Sequence, residues 1–302
     1  MIVSHSLGRK KTDIEKISID VLGTTVSSRL IEKTGPKFLR HLEDDESTLT
    51  IGLDALNKLL DKLQKNGIDI SSVSNFISVT ETPVRNFPGN SFDLISGTSL
   101  NENIFAIDIN AGCTGFVDAV RLASSLGRRS IILCSEAYSK RIPKFDRSVS
   151  PLFSDAAAAV FYDTGSWRIC GEAGGIRKST SSVICAESSS GDLKMTGRDV
   201  AEFVSDIVII EIEKLCQEFS PDIVLVHQGS KFVVDFLKSR LNIENAIFPE
   251  NIIDIGNTVS ASIPILYEQF INNSLLKKNS KILIAGFGVG LSYSIAVLEK
   301  IS

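Results

Sequence analysis

The chain has 302 residues, 43% of them hydrophobic and only 8 of them proline, which supports one large or two ordinary folded domains and excludes a disordered chain. A formal net charge of −4 gives no reason to expect nucleic-acid binding, and no apolar run approaches the roughly 20 residues needed to cross a bilayer. Five cysteines, an odd number without CxxC or Cys/His ligand spacing, argue against a disulfide framework and against a structural zinc site; with no charged leader and hydrophobic stretch after Met1, a cytoplasmic location is the default expectation.

Leu49, Leu53, Leu56, Leu60 and Leu63 recur at three- and four-residue steps and stop before Asn66 and Gly67, which predicts an amphipathic helix with a C-terminal stop. Residues 75–79 read as a strand, and a strand-like run near Asp108 breaks into small residues before a helical pattern that lasts to about Gly127. Residues 130–134 and 156–162 predict two further strands. A long helical pattern occupies residues 195–219, opened by Thr196, Gly197, Arg198 and Asp199. Strand-like residues 222–226 lead to His227, and residues 229–241 form another helix. After the break at Asn257 a helix runs to about residue 273, followed by strands over 281–285 and 291–298.

The later elements repeat the earlier ones. Residues 75–79 precede Asp108 by about the distance that 222–226 precede Asp254, and each aspartate is followed by Ile and a Gly/Asn-rich break. Strands alternating with helices indicate an α/β fold with largely parallel buried sheets, in two similar halves, 1–163 and 164–302. No low-complexity linker separates them, so one shared core is expected.

Cys113 stands where strand gives way to helix, in Asp108-Ile109-Asn110-Ala111-Gly112-Cys113-Thr114-Gly115-Phe116. A thiol at the first turn of a helix faces unpaired backbone N–H groups and the positive dipole end, so a lowered pKa and a nucleophilic thiolate are expected. The plain alternative is a core cysteine, which is how Cys134, Cys170, Cys185 and Cys216 read. His227 ends a buried strand, where open α/β sheets place their ligands; a histidine merely satisfied by hydrogen bonds would look the same. Asn257, in Asp254-Ile255-Gly256-Asn257-Thr258, is a helix cap or a polar site group. The alternating glycines of Gly286-Phe287-Gly288-Val289-Gly290 make either a tight turn or a backbone set against a reacting carbonyl.

In these contexts the ordered Cys113, His227 and Asn257 resemble the β-ketoacyl-acyl-carrier-protein synthase III family of the thiolase superfamily. The likeness runs from Lys33-Thr34-Gly35 through Phe87-Pro88, Asp146-Arg147, Phe153-Ser154-Asp155 and Met195-Thr196-Gly197-Arg198 to the glycine run at 286–290. It implies a five-layered αβαβα fold and an acyltransferase that condenses. Cys113 would take an acyl group from an acyl-CoA, with the backbone N–H groups of Cys113 and Val289 as oxyanion hole. His227 and Asn257 would stabilise the enolate formed when a malonyl thioester, carried by acyl carrier protein, loses CO2. No metal or organic cofactor is required. The resemblance also implies a homodimer in which Phe87 reaches the neighbouring acyl pocket; packing of Phe87 in its own core is the alternative.

Substrate contacts expected from the same resemblance are Arg29, Lys33, Phe87, Arg147, Lys231 and Phe232. Arg29 replaces a Trp that often stacks on the CoA adenine, and Phe232 replaces an arginine used for carrier contact. Lys231, Lys238 and Arg240 also read as a solvated helix face. The basic segment 139–147 is expected to meet an anionic phosphopantetheine or an acidic carrier. The start reads as short enough to abbreviate the first strand, and 187–194 as shorter than the usual insertion. Two other readings stand beside this one: transfer of the acyl group from Cys113 to a hydroxyl or amine, and a non-catalytic subunit that assists a partner, against which the presence of Cys113, His227 and Asn257 together argues.

Overall fold

The computed structural model describes residues 1–16, 28–143, 146, 149–187, 191–241, 243, 246–271 and 275–302, apart from the side chains of Ser28 and Arg29. Its first part runs β1 (Ile2–Leu7), β2 (Lys10–Asp13), α1 (Ser28–Thr34), β3 (Phe38–His41), α2 (Thr48–Lys65), β4 (Asn75–Val79), α3 (Asn90–Ser96), β5 (Phe105–Ile109), α4 (Gly115–Leu126), β6 (Ser130–Glu136) and β7 (Ala156–Tyr162). The second runs β8 (Trp167–Ile176), β9 (Ile184–Ala186), β10 (Leu193–Met195), α5 (Gly197–Phe203), α6 (Ile209–Phe219), β11 (Ile223–Val226), α7 (Lys231–Arg240), α8 (Ile252–Ile255), α9 (Ser262–Phe270), β12 (Lys281–Gly288) and β13 (Ser292–Lys300).

Strand period decides the layering. In β6, Ile132 and Cys134 face one core while Ile131 and Leu133 face another, and both faces are fully buried. The inner core gathers α4 (Phe116, Val117, Val120) and α9 (Ile263, Leu266) between the two sheets, against Ile132 on one side and Ile282 and Ile284 on the other. Outside the first sheet lies α2 with Leu56, Leu59 and Leu63; outside the second lie α6 and α7, with Ile212 and Leu237 against Leu283 and Val297. The order is helix, sheet, helix, sheet, helix: the αβαβα arrangement of the thiolase fold.

The sheets are mixed, where largely parallel ones were expected. The first has the order β1-β7-β6-β4-β5 and the second β11-β12-β13-β8. β4 pairs parallel to β5 and β6, and β11 to β12, but β7 is antiparallel to both its neighbours, as is β13. The cause is local: β13 follows β12 through a tight turn, and among the described residues between β6 and β7 there is no crossover helix, so neither return needs a parallel strand.

Three further expectations change. β1 is not abbreviated, since all six of its residues pair with β7. The repeat diverges at its aspartates: Asp108 lies in a strand, Asp254 in the short helix α8. The long pattern at 195–219 begins in a strand, β10, and its helical part is interrupted by a π-turn over Val204–Val208 that keeps Val204 and Val208 in the core. α2 closes as expected at Asn66, and its N-terminus carries a Ser47/Thr50 capping box.

Candidate active site

The strand ends converge on one cavity of about 440 Å³ whose lining includes Cys113, His227 and Asn257. Cys113 comes from the turn before α4, His227 from the end of β11, and Asn257 from the loop after α8. Three groups widely separated in sequence thus meet at the C-terminal edges of parallel strands, where strand carbonyls end and side chains are freed from the ladder.

Cys113 is nearly closed off, at 8% exposure. The backbone N–H groups of Val289 and of Cys113 itself act on the sulfur in the direction that favours its thiolate, against the burial that opposes it. Gly288 lies against the sulfur at φ +155°, and a Cβ there would sit 2.7 Å from Sγ, so only glycine fits. The expected depression of the thiol pKa is not found. Burial raises it well above the ordinary thiol value, and the carboxyl of Glu81 adds to the rise. The fold explains this: α4 begins at Gly115, two residues past the cysteine, and the carboxyls of Glu81 and Glu136 both oppose ionisation of the buried sulfur.

His227 is anchored by a 2.8 Å hydrogen bond between Nδ1 and Ser262 Oγ, and its ring meets Phe287 edge-on at 5.7 Å. Its Cδ2–Nε2 edge faces Gly229, with Nε2 3.5 Å from where a Cβ there would lie. Burial lowers the pKa to about 4, against an opposing backbone hydrogen bond at Val259, so the ring is neutral near pH 7. Asn257 donates from Nδ2 to the Gly229 carbonyl at 3.2 Å and accepts at Oδ1 from the Val259 N–H at 2.9 Å. One Nδ2 hydrogen is left for a ligand. Val259, a β-branched residue at φ +52°, holds this turn in a strained backbone conformation.

Beneath the cysteine lies a buried polar network that sequence reasoning missed. Glu136, fully buried at the end of β6, accepts from Ser260 Oγ at 2.7 Å and Thr82 Oγ1 at 3.0 Å. Burial, then the nearby Glu81, raises its pKa to about 8. Glu81 accepts a hydrogen bond from the Tyr138 hydroxyl, and burial raises its pKa as well. The available signal was Glu136 itself: like His227, it is a titratable residue at the end of a strand whose middle, residues 131–134, is wholly apolar. Ser262, five residues past Asn257, carried no such signal.

The expected substrate contacts separate into groups. Lys33, Phe232 and Val289 line the cavity, with Arg198 beside them. Lys231 does not; it forms a 2.7 Å ion pair with Asp235 along α7. Phe87 is 83% exposed and packs neither in its own core nor in this cavity. Arg147 and the side chain of Arg29 lie outside the described residues, as do residues 144 and 145 of the basic segment and 188–190 of the shortened one. Of the remaining cysteines, Cys134 is buried in β6, while Cys170, Cys185 and Cys216 are half-buried. Among the described residues no group of three His, Cys, Asp or Glu side chains could hold a metal ion.

A thiolase fold with a cysteine, a histidine and an asparagine on one cavity defines a condensing enzyme. Comparison with known proteins agrees. Residues 107–171 match the family model for 3-oxoacyl-[acyl-carrier-protein (ACP)] synthase III, and 218–300 match its C-terminal model. A β-ketoacyl-[acyl-carrier-protein] synthase III of Clostridium perfringens is 30% identical over 288 residues, covering 86% of this chain and 87% of that one. The enzyme of that name from Streptococcus agalactiae is 29% identical over 315 residues, 95% and 94% of the two chains. The crystal structure of the Burkholderia xenovorans 3-oxoacyl-(acyl-carrier protein) synthase superposes with a TM-score of 0.87 at 23% identity, over 99% of this chain and 93% of that chain. The chain belongs to the β-ketoacyl-acyl-carrier-protein synthase III family, and it is an acyltransferase of the condensing kind.

Proposed function

We propose that Cys113 is the nucleophile, that an acyl-CoA supplies its acyl group, and that a malonyl thioester on acyl carrier protein is the second substrate. The observation that carries this reading is that Cys113, His227 and Asn257 line one cavity, with Val289 on the same lining and Gly288 packed against the Cys113 sulfur. In the first half-reaction Sγ attacks the thioester carbonyl while the N–H groups of Cys113 and Val289 hold the oxyanion. Burial keeps the sulfur a thiol at rest, so its proton leaves as the bond forms. Neutral His227 accepts it and returns it to the departing CoA thiolate.

In the second half-reaction the malonyl carboxylate leaves as CO2, and the electron pair of the broken C–C bond becomes an enolate. With His227 now in the Nε2–H tautomer, its Nδ1 accepting from the Ser262 hydroxyl, Nε2 and the free Nδ2 hydrogen of Asn257 donate to the enolate oxygen. The carbanion then attacks the acyl group on Cys113, expelling the cysteine thiolate, which takes a proton from solvent. Departure of CO2 drives the step, so no cofactor is invoked. Lys33 and Arg198 on the cavity wall suit the anionic phosphates of CoA and phosphopantetheine.

The same reading includes a homodimer acting in the cytoplasm. β5 is a free sheet edge, and Phe87, Phe92 and Phe105 near it are 83%, 63% and 51% exposed, an apolar face that a second copy would cover. Five free cysteines suit a reducing compartment.

Intact-protein mass spectrometry after exposure to acyl-CoAs, with CO2 release from a malonyl thioester, tests the reading. Cys113→Ser should abolish the adduct, while substitution of Cys134, Cys170, Cys185 or Cys216 should leave it. Undiminished labelling of the Cys113 variant would show that the nucleophile lies elsewhere.

A further inference from the structure

A second cavity, of about 380 Å³, adjoins the first and shares Tyr138, Ile184 and Val289 with it. Its position relative to the sulfur is set by the turn before α4. Glu81, which lines it, packs against Gly112, the residue preceding Cys113, so closely that a Cβ there would meet Oε2 at 2.4 Å. Asn110 from the same turn lines it too. An acyl group on Cys113 whose oxygen occupies the hole between the Cys113 and Val289 N–H groups has Val289 beside it, and Val289 is common to both cavities.

The lining is not that of an alkyl pocket. Besides Ile184, Leu193 and Val289 it carries Glu81, Asn86, Asn110 and Arg141. Glu81 is half-buried and accepts a hydrogen bond from the Tyr138 hydroxyl, which leaves acceptor positions open to a further donor. We propose that this second cavity holds the distal end of the acyl group and selects an acyl chain bearing a hydroxyl, which hydrogen-bonds Glu81. This rests on the Cys113 reading above and names its substrate class. A plain alkyl chain would displace water from the carboxyl and return no hydrogen bond. A carboxylated chain would face Glu81 and Glu187 with Arg141 as the single cation among the described lining residues. A hydroxyl suits either state of Glu81, donating to the carboxylate or accepting from the acid.

Sites built to hydrogen-bond a substrate hydroxyl reject the analogue lacking it by factors of up to about 10⁴, and here, with water able to enter, at least about tenfold is expected. The test is the rate of Cys113 acylation by butyryl-CoA against 2-, 3- and 4-hydroxybutyryl-CoA, followed by intact mass. Wild type should favour at least one hydroxybutyryl thioester by about tenfold or more in kcat/KM. Glu81→Leu should reverse that ratio, and Glu81→Gln, which keeps an acceptor and a donor, should restore much of it. Equal or better acylation by butyryl-CoA in wild type overturns the proposal alone, whatever the variants do. An unchanged ratio in a folded Glu81→Leu protein overturns it as well. Failure of every thioester to label Cys113 would overturn the nucleophile assignment and this proposal with it.

Discussion

His227 Nδ1 and Ser262 Oγ are 2.8 Å apart, a buried hydrogen bond that joins the end of β11 to the first residue of α9 and fixes the ring. With Nδ1 so engaged, Nε2 is the nitrogen on the edge facing Gly229, and Gly229 in turn accepts from Asn257. Ser262→Ala should cost condensation about five- to thirtyfold, the rate equivalent of a hydrogen bond worth about 1–2 kcal/mol. Ser262→Thr, which keeps the hydroxyl, should recover most of it. Steady-state CO2 release measures both; equal rates in wild type and Ser262→Ala would remove the anchoring role.

Asn257 and His227 are assigned to decarboxylation. Asn257→Ala removes a donor to the enolate and should lower CO2 release by about a hundred- to a thousandfold while the acyl adduct on Cys113 still forms. His227→Ala should lose at least as much, with slower acylation too, since the buried thiol depends on a base. Were Asn257→Ala to block the adduct and spare malonyl decarboxylation, simple acyl transfer would become the better description.

Gly288→Ala places a methyl 2.7 Å from the Cys113 sulfur at φ +155°. Acylation should drop at least about a hundredfold, because a misplacement of about 1 Å at the reacting centre is worth that much. Gly67→Ala is the comparison, for its Cβ meets nothing within 4 Å although φ is +69°. It should cost about 1 kcal/mol of stability and leave acylation alone. Equal acylation in the two variants would show that the sulfur tolerates bulk from that side.

Two buried groups tilt stability in opposite directions with pH. His227, with its pKa lowered to about 4, stays unprotonated while the unfolded chain takes up a proton near 6.5. Its contribution is therefore full above pH 6.5 and is lost as pH falls toward 4. Glu136, raised to about 8, keeps a proton that the unfolded chain loses near 4.5, so its contribution is full below 4.5 and is lost as pH rises toward 8. His227→Gln should flatten the acid limb by up to about 3 kcal/mol, and Glu136→Gln should flatten the decline above pH 4.5. Urea unfolding across pH 4 to 8.5 reads both. Limbs parallel to wild type in both variants would contradict these assignments.

Light scattering should give a mass of twice 32.8 kDa at micromolar concentration, and Phe87→Asp should shift it toward one chain. A wild-type monomer with full activity would end the dimer proposal.

Sequence showed strand and helix positions well wherever burial is two-sided or amphipathic. β7 was expected at 156–162 and is found there, because an unbroken apolar run of seven has few other uses. Strand direction was not legible, since the pairing of β7 and β13 depends on how the chain returns rather than on their composition. Cys113, His227 and Asn257 could be picked out because each interrupts a pattern. The electrostatics at Cys113 could not, because Glu81 and Glu136 reach the sulfur from 32 residues before it and 23 after it, and only the folded chain brings them there.

The packing of α4 and α9 between the sheets has a kinetic meaning. Cys113 precedes α4, while Ser262, the anchor of His227, opens α9, and the two helices are buried in the same inner core. Cys113 and the anchor of His227 are therefore set on one packed layer, with no plane along which the halves could part without breaking that core. Access to the cavity then falls to segments outside that layer, such as α1 and the first turn of α7, which carry Lys33 and Phe232 to its lining.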